Sequence, residues 1–534
     1  MSIRDWLQTL LPRGDAHSRN VPAGEPASRA VALDEAARGG PRAAFEAGLA
    51  AYASKDYAMA VECFNRALEE RHDDADAHNN LGLSNLGLGR SEEAMDSFVL
   101  ATHFRPQFPQ ACYNIALAAD QLGDQGQVVA SLERAIELKP EFAAAHSMLG
   151  YVLSHEVGEF ERGVAHIRRA LELDPADPDV RCNYSAVLTQ EGRAAEALAI
   201  CHELLAVHPD MHEARLNRAL AGLKLGRFGE AWPDYEARKL ARGNYVPRAL
   251  PLPEWQGEPL RNRKLLVYAE QGLGDQIMFA SCLPDLLPQV ETCVIECAPQ
   301  VVPIFRRSFP AAMIESQEQG DAGLARLAQS EGLDYQVAIG SLPAHFRRKR
   351  SDFPQHTGYL QAEPARIEYW RHRLDALGPG LKIGISWSGG ARSTRGASRS
   401  VRLAEWSPIL AQPGCRFVSL QYGHAGSELQ ASAQQQRFGI HEWREAIESY
   451  AETAALVAAL DLVISVQTAL VHLTGALGKP AWVMLRGISE WRYLEHGETM
   501  PWYPSVRLLR QQQPGDWQPV IAQIARDLAL LVRR

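Results

Sequence analysis

The most constraining feature of this sequence is a repeat that runs through its first half. Four prolines follow one another at intervals of 34, 35 and 34 residues, at Pro106, Pro140, Pro175 and Pro209. Proline ends a helix because it has no amide hydrogen for the helical ladder. The helices that precede these stops carry small residues, which let two helices approach closely: Gly82, Ala116, Gly150 and Ser185. The spacing therefore predicts a solenoid of stacked helix pairs.

The segments resemble tetratricopeptide repeats. The resemblance implies six units, at about 41–74, 75–108, 109–142, 143–177, 178–211 and 212–239. Small and aromatic residues fill the matching positions of the second helices: Ala60, Ala94, Ala197 and Ala231, then Phe64, Phe98 and Tyr235. The fourth unit departs, with Arg162 near the small position and one extra residue. We expect the array to span 41–247, behind a segment and linker at 1–40.

An asparagine recurs at the sixth position of four units, on the inner wall of such a superhelix: Asn80, Asn114, Asn183 and Asn217. A carboxamide offers both donors and an acceptor, so a ladder of asparagines suits the backbone of an extended peptide. The ladder resembles the peptide-binding one of the protein O-GlcNAc transferases and implies a polypeptide partner. The alternative is a local structural role, because asparagine is common at this position in arrays with other ligands.

Composition narrows the class of protein. The 55 basic and 64 acidic residues give a net charge of −9, which argues against a nucleic-acid partner. The eight cysteines are scattered without metal-ligand spacing, as expected of reduced thiols in the cytosol. No stretch reaches the roughly 20 apolar residues of a membrane span, and the amino terminus lacks the apolar core of a secretory signal. We therefore expect a cytoplasmic protein.

The first dozen residues follow helical spacing in their apolar side chains: Ile3, Trp6, Leu7, Leu10 and Leu11. Two interpretations remain open for residues 1–12. They form an amphipathic helix that docks on a partner or on a membrane surface, or a frayed helix ahead of the linker.

From about residue 248 the sequence alternates short β-branched runs with helical patterns, which predicts parallel sheets covered by helices. Seven strands are expected, at 264–269, 292–297, 334–339, 382–387, 416–421, 461–466 and 480–485. A helix and linker at 365–380 separate the third strand from the fourth. We expect two Rossmann-like lobes, at 248–360 and 381–534, joined by a linker at 361–380, with the ligand at the carboxyl ends of the strands.

Two loops in this half carry chemistry. The first loop follows the 264–269 strand, and its candidate residues are Gln271, Gly272, Gly274, Asp275 and Gln276. Its glycines allow a tight turn near a ligand. A dinucleotide fold would also place Gly-x-Gly here, with Glu296 as the ribose acid, but Ile277 stands where the third glycine belongs.

The second loop follows the 461–466 strand. Thr468 is a candidate helix cap, so the helix start favours a phosphate, with His472 one turn further on. A well-capped structural helix is the alternative. The lone Asp74-Ala75-Asp76 lies at a repeat boundary, where it is a solvated linker.

Together the motifs resemble the heptosyltransferase-like family of GT-B glycosyltransferases, particularly members with tetratricopeptide repeats ahead of the catalytic region. The resemblance covers roughly 248–534 and rests on AEQGLGDQIMFASCLPDL, ISWSGG, SRSVRLAEW, SLQYG, SVQTALVHLTGALGKPAWVML, EWRY and PWYPSVRLLRQ. It implies that Asp275 is the catalytic base of an inverting transferase, which requires no metal and uses only a nucleotide-sugar co-substrate. It also implies a set of donor-binding residues: Trp387, Arg399, Gln467, Thr468, Ala469 and His472.

The sequence departs from that family in two places. Family members commonly carry aspartate where this chain has Gln467, which cannot supply a negative charge, so the donor sugar differs or activity is weak. The loop GARSTRGASRS matches the family's basic loop only at Arg399 and Ser400. A protein that binds without catalysing therefore stays open.

Three functions follow. The first is transfer of a sugar to Ser or Thr of a polypeptide held by the repeats, with a bacterial surface protein such as flagellin expected by family analogy. The second is extension of lipopolysaccharide or another glycan. The third is a catalytically silent interaction scaffold.

Overall fold

The computed structural model describes residues 39–154, 159–241, 248, 250–389, 399–422 and 438–533. The amphipathic segment expected at 1–12 and most of the loop GARSTRGASRS lie outside these ranges. Within them, no helix is long and apolar enough to cross a membrane. The chain divides into two compact units, Met1–Tyr184 and Ser185–Arg534.

The first unit is built from antiparallel helix pairs, as the repeat predicts. Its helices are α1 Gly40–Ala53, α2 Tyr57–Glu70, α3 Ala75–Gly87, α4 Ser91–Phe104, α5 Pro109–Leu122, α6 Gln125–Leu138, α7 Ala143–Val152 and α8 Phe160–Leu173, followed by α9 Pro178–Gln190, which spans the division. Three of these pairs bring a glycine of the first helix against a large side chain of the second: Gly48 against Phe64, Gly82 against Phe98, and Gly150 against Ile167. A Cβ on Gly82 would lie 2.5 Å from Cε1 of Phe98, so glycine is needed for that close approach.

The fourth repeat keeps this packing with a different residue from the one expected. Gly163, not Arg162, is the fourth residue of α8, the place that Ala60 and Ala94 hold in α2 and α4. A Cβ on Gly163 would lie 2.6 Å from the carbonyl oxygen of Gly150. Arg162 points outward and pairs with glutamates. The extra residue in this unit shifts the register by one.

The second unit begins with the end of the array and continues into the α/β region. After α9 come α10 Ala194–Val207, α11 His212–Lys224, α12 Phe228–Tyr235 and a 3-10 turn at Glu236–Lys239. Trp232 and Tyr235 of α12 are buried in the same apolar core as the strands that follow. The Trp232 indole donates to the carbonyl of Arg347 at 2.8 Å. The last helices of the array and the sheets therefore share one core.

The first sheet is parallel and has the order β3-β2-β1-β4. Its strands are β1 Lys264–Tyr268, β2 Thr292–Cys297, β3 Ala312–Ser316 and β4 Tyr335–Ala338. Its helices are α13 Leu273–Phe279, α14 Leu283–Leu286, α15 Val302–Ser308, α16 Gly320–Glu331 and α17 Pro343–Phe346. Sequence reasoning missed β3, an edge strand in which Ile314 alone is buried, so that no long apolar run marks it.

The second sheet has the order β6-β5-β7-β8-β10-β9 and is parallel except for the β9–β10 pair. Its strands are β5 Leu381–Ser386, β6 Cys415–Ser419, β7 Leu462–Val466, β8 Ala481–Leu485, β9 Thr499–Met500 and β10 Tyr503–Arg510. Its helices are α18 Pro364–Asp375, α19 Ser407–Leu410, α20 Arg444–Glu448, α21 Tyr450–Ala459, α22 Ala469–Ala476 and α23 Gln518–Val532. All seven expected strands are confirmed. Sequence reasoning also missed β10, because Pro504 cannot donate a hydrogen bond to a sheet. Pro504 lies ahead of the pairing with β8, which starts at Val506.

The cysteines behave as small apolar residues. All eight are buried, and none forms a disulfide. Burial raises the pKa of the Cys293 thiol to about 12, so this side chain remains a thiol at neutral pH.

Candidate functional site

The loop after β1 carries Asp275 at the carboxyl end of the first sheet. Gln271 has a φ of 61°, in the left-handed region that costs a non-glycine residue about 1–2 kcal/mol. Tyr235, the last residue of α12, holds it there. Its hydroxyl donates to Oε1 of Gln271 at 3.2 Å and accepts from Nε2 at 3.0 Å. Asp275 then follows in the first turn of α13.

Asp275 forms an ion pair with Arg492, which lies in a short turn after β8. Nη2 of Arg492 donates to Oδ1 of Asp275 at 2.5 Å. Although burial opposes the charge, Asp275 and nearby groups raise the pKa of Arg492 overall, so the guanidinium stays cationic. The carboxylate from the first sheet and the cation from the second thus meet across the edges where parallel strands end.

A second arginine joins this pair through Glu490. The Glu490 carboxylate contacts Nη1 of Arg492, and its Oε1 lies 3.3 Å from Nη1 of Arg399. The side chains of Arg399 and Arg492 are only 12% and 16% exposed, whereas that of Glu490 is 42% exposed. Burial, assisted by the Arg492 charge, lowers the pKa of Arg399. Two largely buried arginines therefore share one carboxylate, that of Glu490, which lies at the surface.

Helix α22 packs directly against α13. A Cβ on Gly274 would lie 3.1 Å from Cδ2 of His472 and 3.4 Å from Cα of Ala469, so the glycine serves this crossing. His472 is buried, and its Nδ1 lies 3.1 Å from the Tyr503 hydroxyl. Burial, together with the Arg492 charge, lowers the pKa of His472 to about 3. His472 is therefore a neutral packing residue.

Thr468 sits at the N-cap of α22, as expected, but its side chain does not cap the helix. Its hydroxyl instead lies 3.4 Å from Oγ of Ser465. The amide hydrogens of the first turn are therefore not used by this side chain, in contrast to the expected cap.

Gln467 and Trp387 occupy neighbouring strand ends in the second sheet. Gln467 is only 2% exposed, and its Nε2 has no hydrogen-bond partner among the described residues. The Trp387 side chain is wholly buried in the core, and its backbone amide donates to Oε1 of Gln421 at 3.0 Å. Gln467 is thus the unsatisfied polar group here, while Trp387 packs within the sheet.

Gln276 has a structural place beneath the loop. It is 2% exposed, and its Oε1 accepts from the amide of Ala298 at 2.9 Å. Its Nε2 donates to the carbonyl of Gln271 at 3.4 Å. Gln276 therefore ties the Asp275 loop to the end of β2.

A buried ion pair connects the end of the repeat array to the same loop. Nη2 of Arg238 lies 2.6 Å from Oε1 of Glu270, and their side chains are 6% and 5% exposed. Arg238 also donates to Glu236 at 2.7 Å. Although burial opposes it, Arg238 and Lys239 lower the pKa of Glu236 to about 2. The turn after α12 is thus fixed to the residue that opens the loop.

The acid that a dinucleotide site would need is already engaged. Glu296 is fully buried, and its two carboxylate oxygens accept from Arg248 at 2.9 Å and 3.0 Å. One of them also accepts from the amide of Ala269 at 2.9 Å. With both oxygens bound inside the protein, Glu296 does not offer the ribose contact that the dinucleotide interpretation requires.

The four asparagines of the ladder are bonded within the array. Each uses a side-chain amide hydrogen on its own helix or on the preceding repeat: Asn80 to the carbonyl of Asp76 at 2.8 Å, Asn114 to Asn79 at 2.8 Å, Asn183 to Ser147 at 3.1 Å and Asn217 to Ser185 at 3.1 Å. Any hydrogen bond from this ladder to a peptide is therefore additional to a bond inside the array.

Sequence reasoning missed four residues of this region. Glu490 and Arg492 belong to the EWRY segment, which the resemblance includes without assigning a role to either residue, although its position just after β8 is a usable signal. Tyr235 was assigned only to repeat packing. Arg238 had no signal in the sequence, because its partner Glu270 lies beyond the connector between array and sheet.

Fold and site define a tetratricopeptide-repeat protein whose chain continues into two sheets of mostly parallel strands. Family models described as tetratricopeptide repeat match residues 45–111, 109–142 and 190–247. Protein FlbA of Caulobacter vibrioides is 31% identical over 490 residues, which cover 89% of this chain and 81% of that protein. The chain therefore belongs to the FlbA family.

Other similarities cover less of the chain. Protein O-mannosyl-transferase Tmtc3 of Drosophila melanogaster is 26% identical over 192 residues, 35% of this chain and 20% of that protein. The peroxisomal targeting signal receptor of Candida albicans is 37% identical over 76 residues, 14% of this chain and 13% of the receptor. Among solved structures, the tetratricopeptide-repeat protein TTC0263 of Thermus thermophilus is 25% identical, with a TM-score of 0.30 over 34% of this chain and 99% of that one.

Proposed function

We propose that this chain is a GT-B glycosyltransferase that moves a sugar from a nucleotide-sugar donor to a Ser or Thr hydroxyl of a polypeptide captured by its repeats. The observation that carries the proposal is the ion pair of Asp275 with Arg492, which is linked to Arg399 through Glu490. A carboxylate at the end of one parallel sheet faces cations from the other. That is the arrangement expected of a base on the acceptor side and a phosphate site on the donor side.

The topology supports two lobes with a cleft. The Asp275 loop follows β1, while Gln467, Glu490 and Arg492 follow β7 and β8 of the second sheet. Ligands of open parallel sheets bind beyond the carboxyl ends of the strands. On this proposal residues 248–360 form the acceptor lobe, 361–380 the linker and 381–534 the donor lobe.

The chemistry needs one base and a stabilised leaving group. Asp275 removes the proton of the acceptor hydroxyl, and that oxygen forms a new bond to the anomeric carbon. The bond from the anomeric carbon to the donor phosphate oxygen breaks, and its electron pair leaves on the nucleotide. The guanidinium of Arg399 and the α22 amide hydrogens beside Thr468 offset the developing charge. In this scheme the positive charge comes from side chains, so no metal is required.

A polypeptide acceptor is supported by the repeats, because arrays of this kind commonly bind peptides. The partial similarity to a protein named as an O-mannosyl-transferase points the same way, at 20% coverage of that protein. A bacterial surface protein such as flagellin is the substrate class that we propose.

A catalytically silent scaffold is the second candidate. It is favoured by the Arg492 ion pair, which already engages Oδ1 of Asp275, and by Gln467, which brings no charge to its strand end. In that case the repeats would bind a partner and the sheets would serve only as a folded platform.

Calorimetry and thermal-shift measurements with ADP-, UDP-, GDP- and CMP-sugars test the proposal. We expect one nucleotide class to bind the wild-type protein and Asp275→Asn alike, while Asp275→Asn lowers sugar transfer by about 10²–10⁴-fold. Glu291→Gln, which neutralises an exposed carboxylate in the same lobe, is the matched control and should leave transfer unchanged. If no nucleotide sugar binds, the scaffold replaces the transferase as the better account.

The acceptor is tested separately with Asn80→Ala and Asn114→Ala combined. A protein acceptor predicts that transfer to protein falls while hydrolysis of the donor continues. Equal transfer by the variant and the wild type would instead favour a glycan acceptor.

A further inference from the structure

Glu490 is the one exposed member of a compact group of four charges. Its carboxylate contacts both Arg399 and Arg492, and Arg492 also holds Asp275 at 2.5 Å. Two cations and two carboxylates balance formally. Removing water from a charge is costly, so two largely buried guanidiniums need nearby anions in every state of the protein.

The group offers binding capacity beyond these bonds. Nε of Arg492 is buried and has no hydrogen-bond partner among the described residues, and the same holds for Nε2 of Gln467. Gln467 and Arg399 are neighbours, because a Cβ on Gly389 would lie 3.3 Å from both the Gln467 carbonyl oxygen and Cβ of Arg399. Buried donors without acceptors are rare in native proteins, which suggests that a ligand supplies the acceptors.

We infer that Glu490 is a placeholder for the phosphate of the donor nucleotide. When the nucleotide binds, its phosphate oxygens take the places of the Glu490 carboxylate oxygens on Arg399 and Arg492. The side chain of Glu490 is 42% exposed, so it can turn into water at small cost. This inference rests on the proposed function and adds Arg492 and Glu490 to the donor side of the site.

The exchange also changes the surroundings of Asp275. A guanidinium frequently binds phosphate through two parallel hydrogen bonds, and Arg492 forms the second of these by turning Nη2 from Asp275 to the phosphate that has replaced Glu490 on Nη1. That movement loosens its hold on Oδ1 of Asp275. Arg492 is therefore a positioning residue that couples arrival of the donor to release of the carboxylate proposed as the base.

Calorimetry on the full-length chain tests the placeholder with ADP, UDP, GDP and CMP as probes. Glu490→Gln removes the competing charge, so we expect it to bind the preferred nucleotide about 3–10-fold more tightly than the wild type. Arg492→Gln should bind it about tenfold more weakly, since a charge-assisted contact is lost. Glu498→Gln is the matched control, because Glu498 is 69% exposed and pairs with Arg507 instead.

Thermal unfolding gives an independent readout. Without nucleotide, Glu490→Gln should melt below the wild type, because two buried cations lose an anion. Saturating nucleotide should then raise its melting temperature by more than it raises that of the wild type. If the wild type binds a nucleotide and Glu490→Gln binds it equally or more weakly, the placeholder is wrong and the proposed function stands. If neither protein binds any nucleotide, both are wrong.

Discussion

At the scale of single residues, the most demanding contact is the buried pair between Arg238 and Glu270. Both side chains are almost fully withdrawn from water, and Glu270 additionally accepts from the amide of Gly340 at 3.1 Å. The net stabilisation from such a pair is smaller than the free energy lost when one partner is removed, because the other charge is then buried without a partner. It fixes the strained loop of Gln271 to the end of α12.

Glu270→Ala should therefore destabilise the second unit by about 3–5 kcal/mol, because it leaves the Arg238 guanidinium buried with a weaker set of partners. Urea unfolding followed by tryptophan fluorescence measures the change. Glu368→Ala is the comparison, since its pair with Arg371 in the same unit is about half exposed, and an exposed pair contributes about 0–1 kcal/mol. Equal losses in the two variants would contradict the prediction.

The sequence predicts where the candidate site lies, but it does not predict which residues of the site contact one another. A β-branched run followed by Gly-rich Gln271–Gln276 was enough to put Asp275 at a strand end. Its ion-pair partner Arg492 comes 217 residues later, and nothing local to either residue encodes that contact. The family resemblance implies donor-binding roles for Trp387 and His472, and a sequence alone does not display that both side chains are buried.

At the scale of elements, the register of α8 shows how packing overrides motif position. Aligning repeats by sequence put Arg162 in the small position, but a helix crossing selects the residue that lacks a side chain. The seven strands predicted from β-branched runs are present in the sheets. The short edge strand β3 and the proline-bearing β10 depend on neighbours that a single sequence does not display.

Gly163→Ala should destabilise the first unit by about 1–3 kcal/mol, because its new Cβ meets the backbone oxygen of Gly150, which cannot move without distorting α7. Arg162→Ala, one residue away, removes only surface ion pairs and should cost less than about 1 kcal/mol. Thermal unfolding monitored by circular dichroism compares the two. A larger loss of stability for Arg162→Ala would contradict the observed register and favour the one expected from the sequence.

At the scale of the whole molecule, buried and half-buried histidines make stability depend on pH. Burial lowers the pKa of four histidines in the second unit: His345, His356, His441 and His472. A group whose pKa is depressed by folding binds more protons when unfolded. Its contribution to the free energy of unfolding is complete above the pKa of the unfolded state, near 6.5, and is lost as the pH falls toward the pKa of the folded state.

For His472 this loss of stability occurs between about pH 6.5 and about pH 3. At pH 5 the wild type should be less stable than at pH 7.5 by about 2 kcal/mol from this residue alone. His472→Phe should reduce the difference between the two pH values in urea unfolding. His372→Gln, with a side chain that is 76% exposed, provides the reference. An unchanged pH difference in His472→Phe would show that other groups dominate.

The shared core between α12 and the sheets also limits how such chains can be shuffled. Ala219 and Leu223 of α11 and Trp232 of α12 belong to the same cluster as the strand residues that follow. A chimaera that borrows a relative's repeats must place its junction ahead of α11, or it will pair foreign aromatic side chains with a core shaped for others. The last helices of the array are thus inherited together with the sheets.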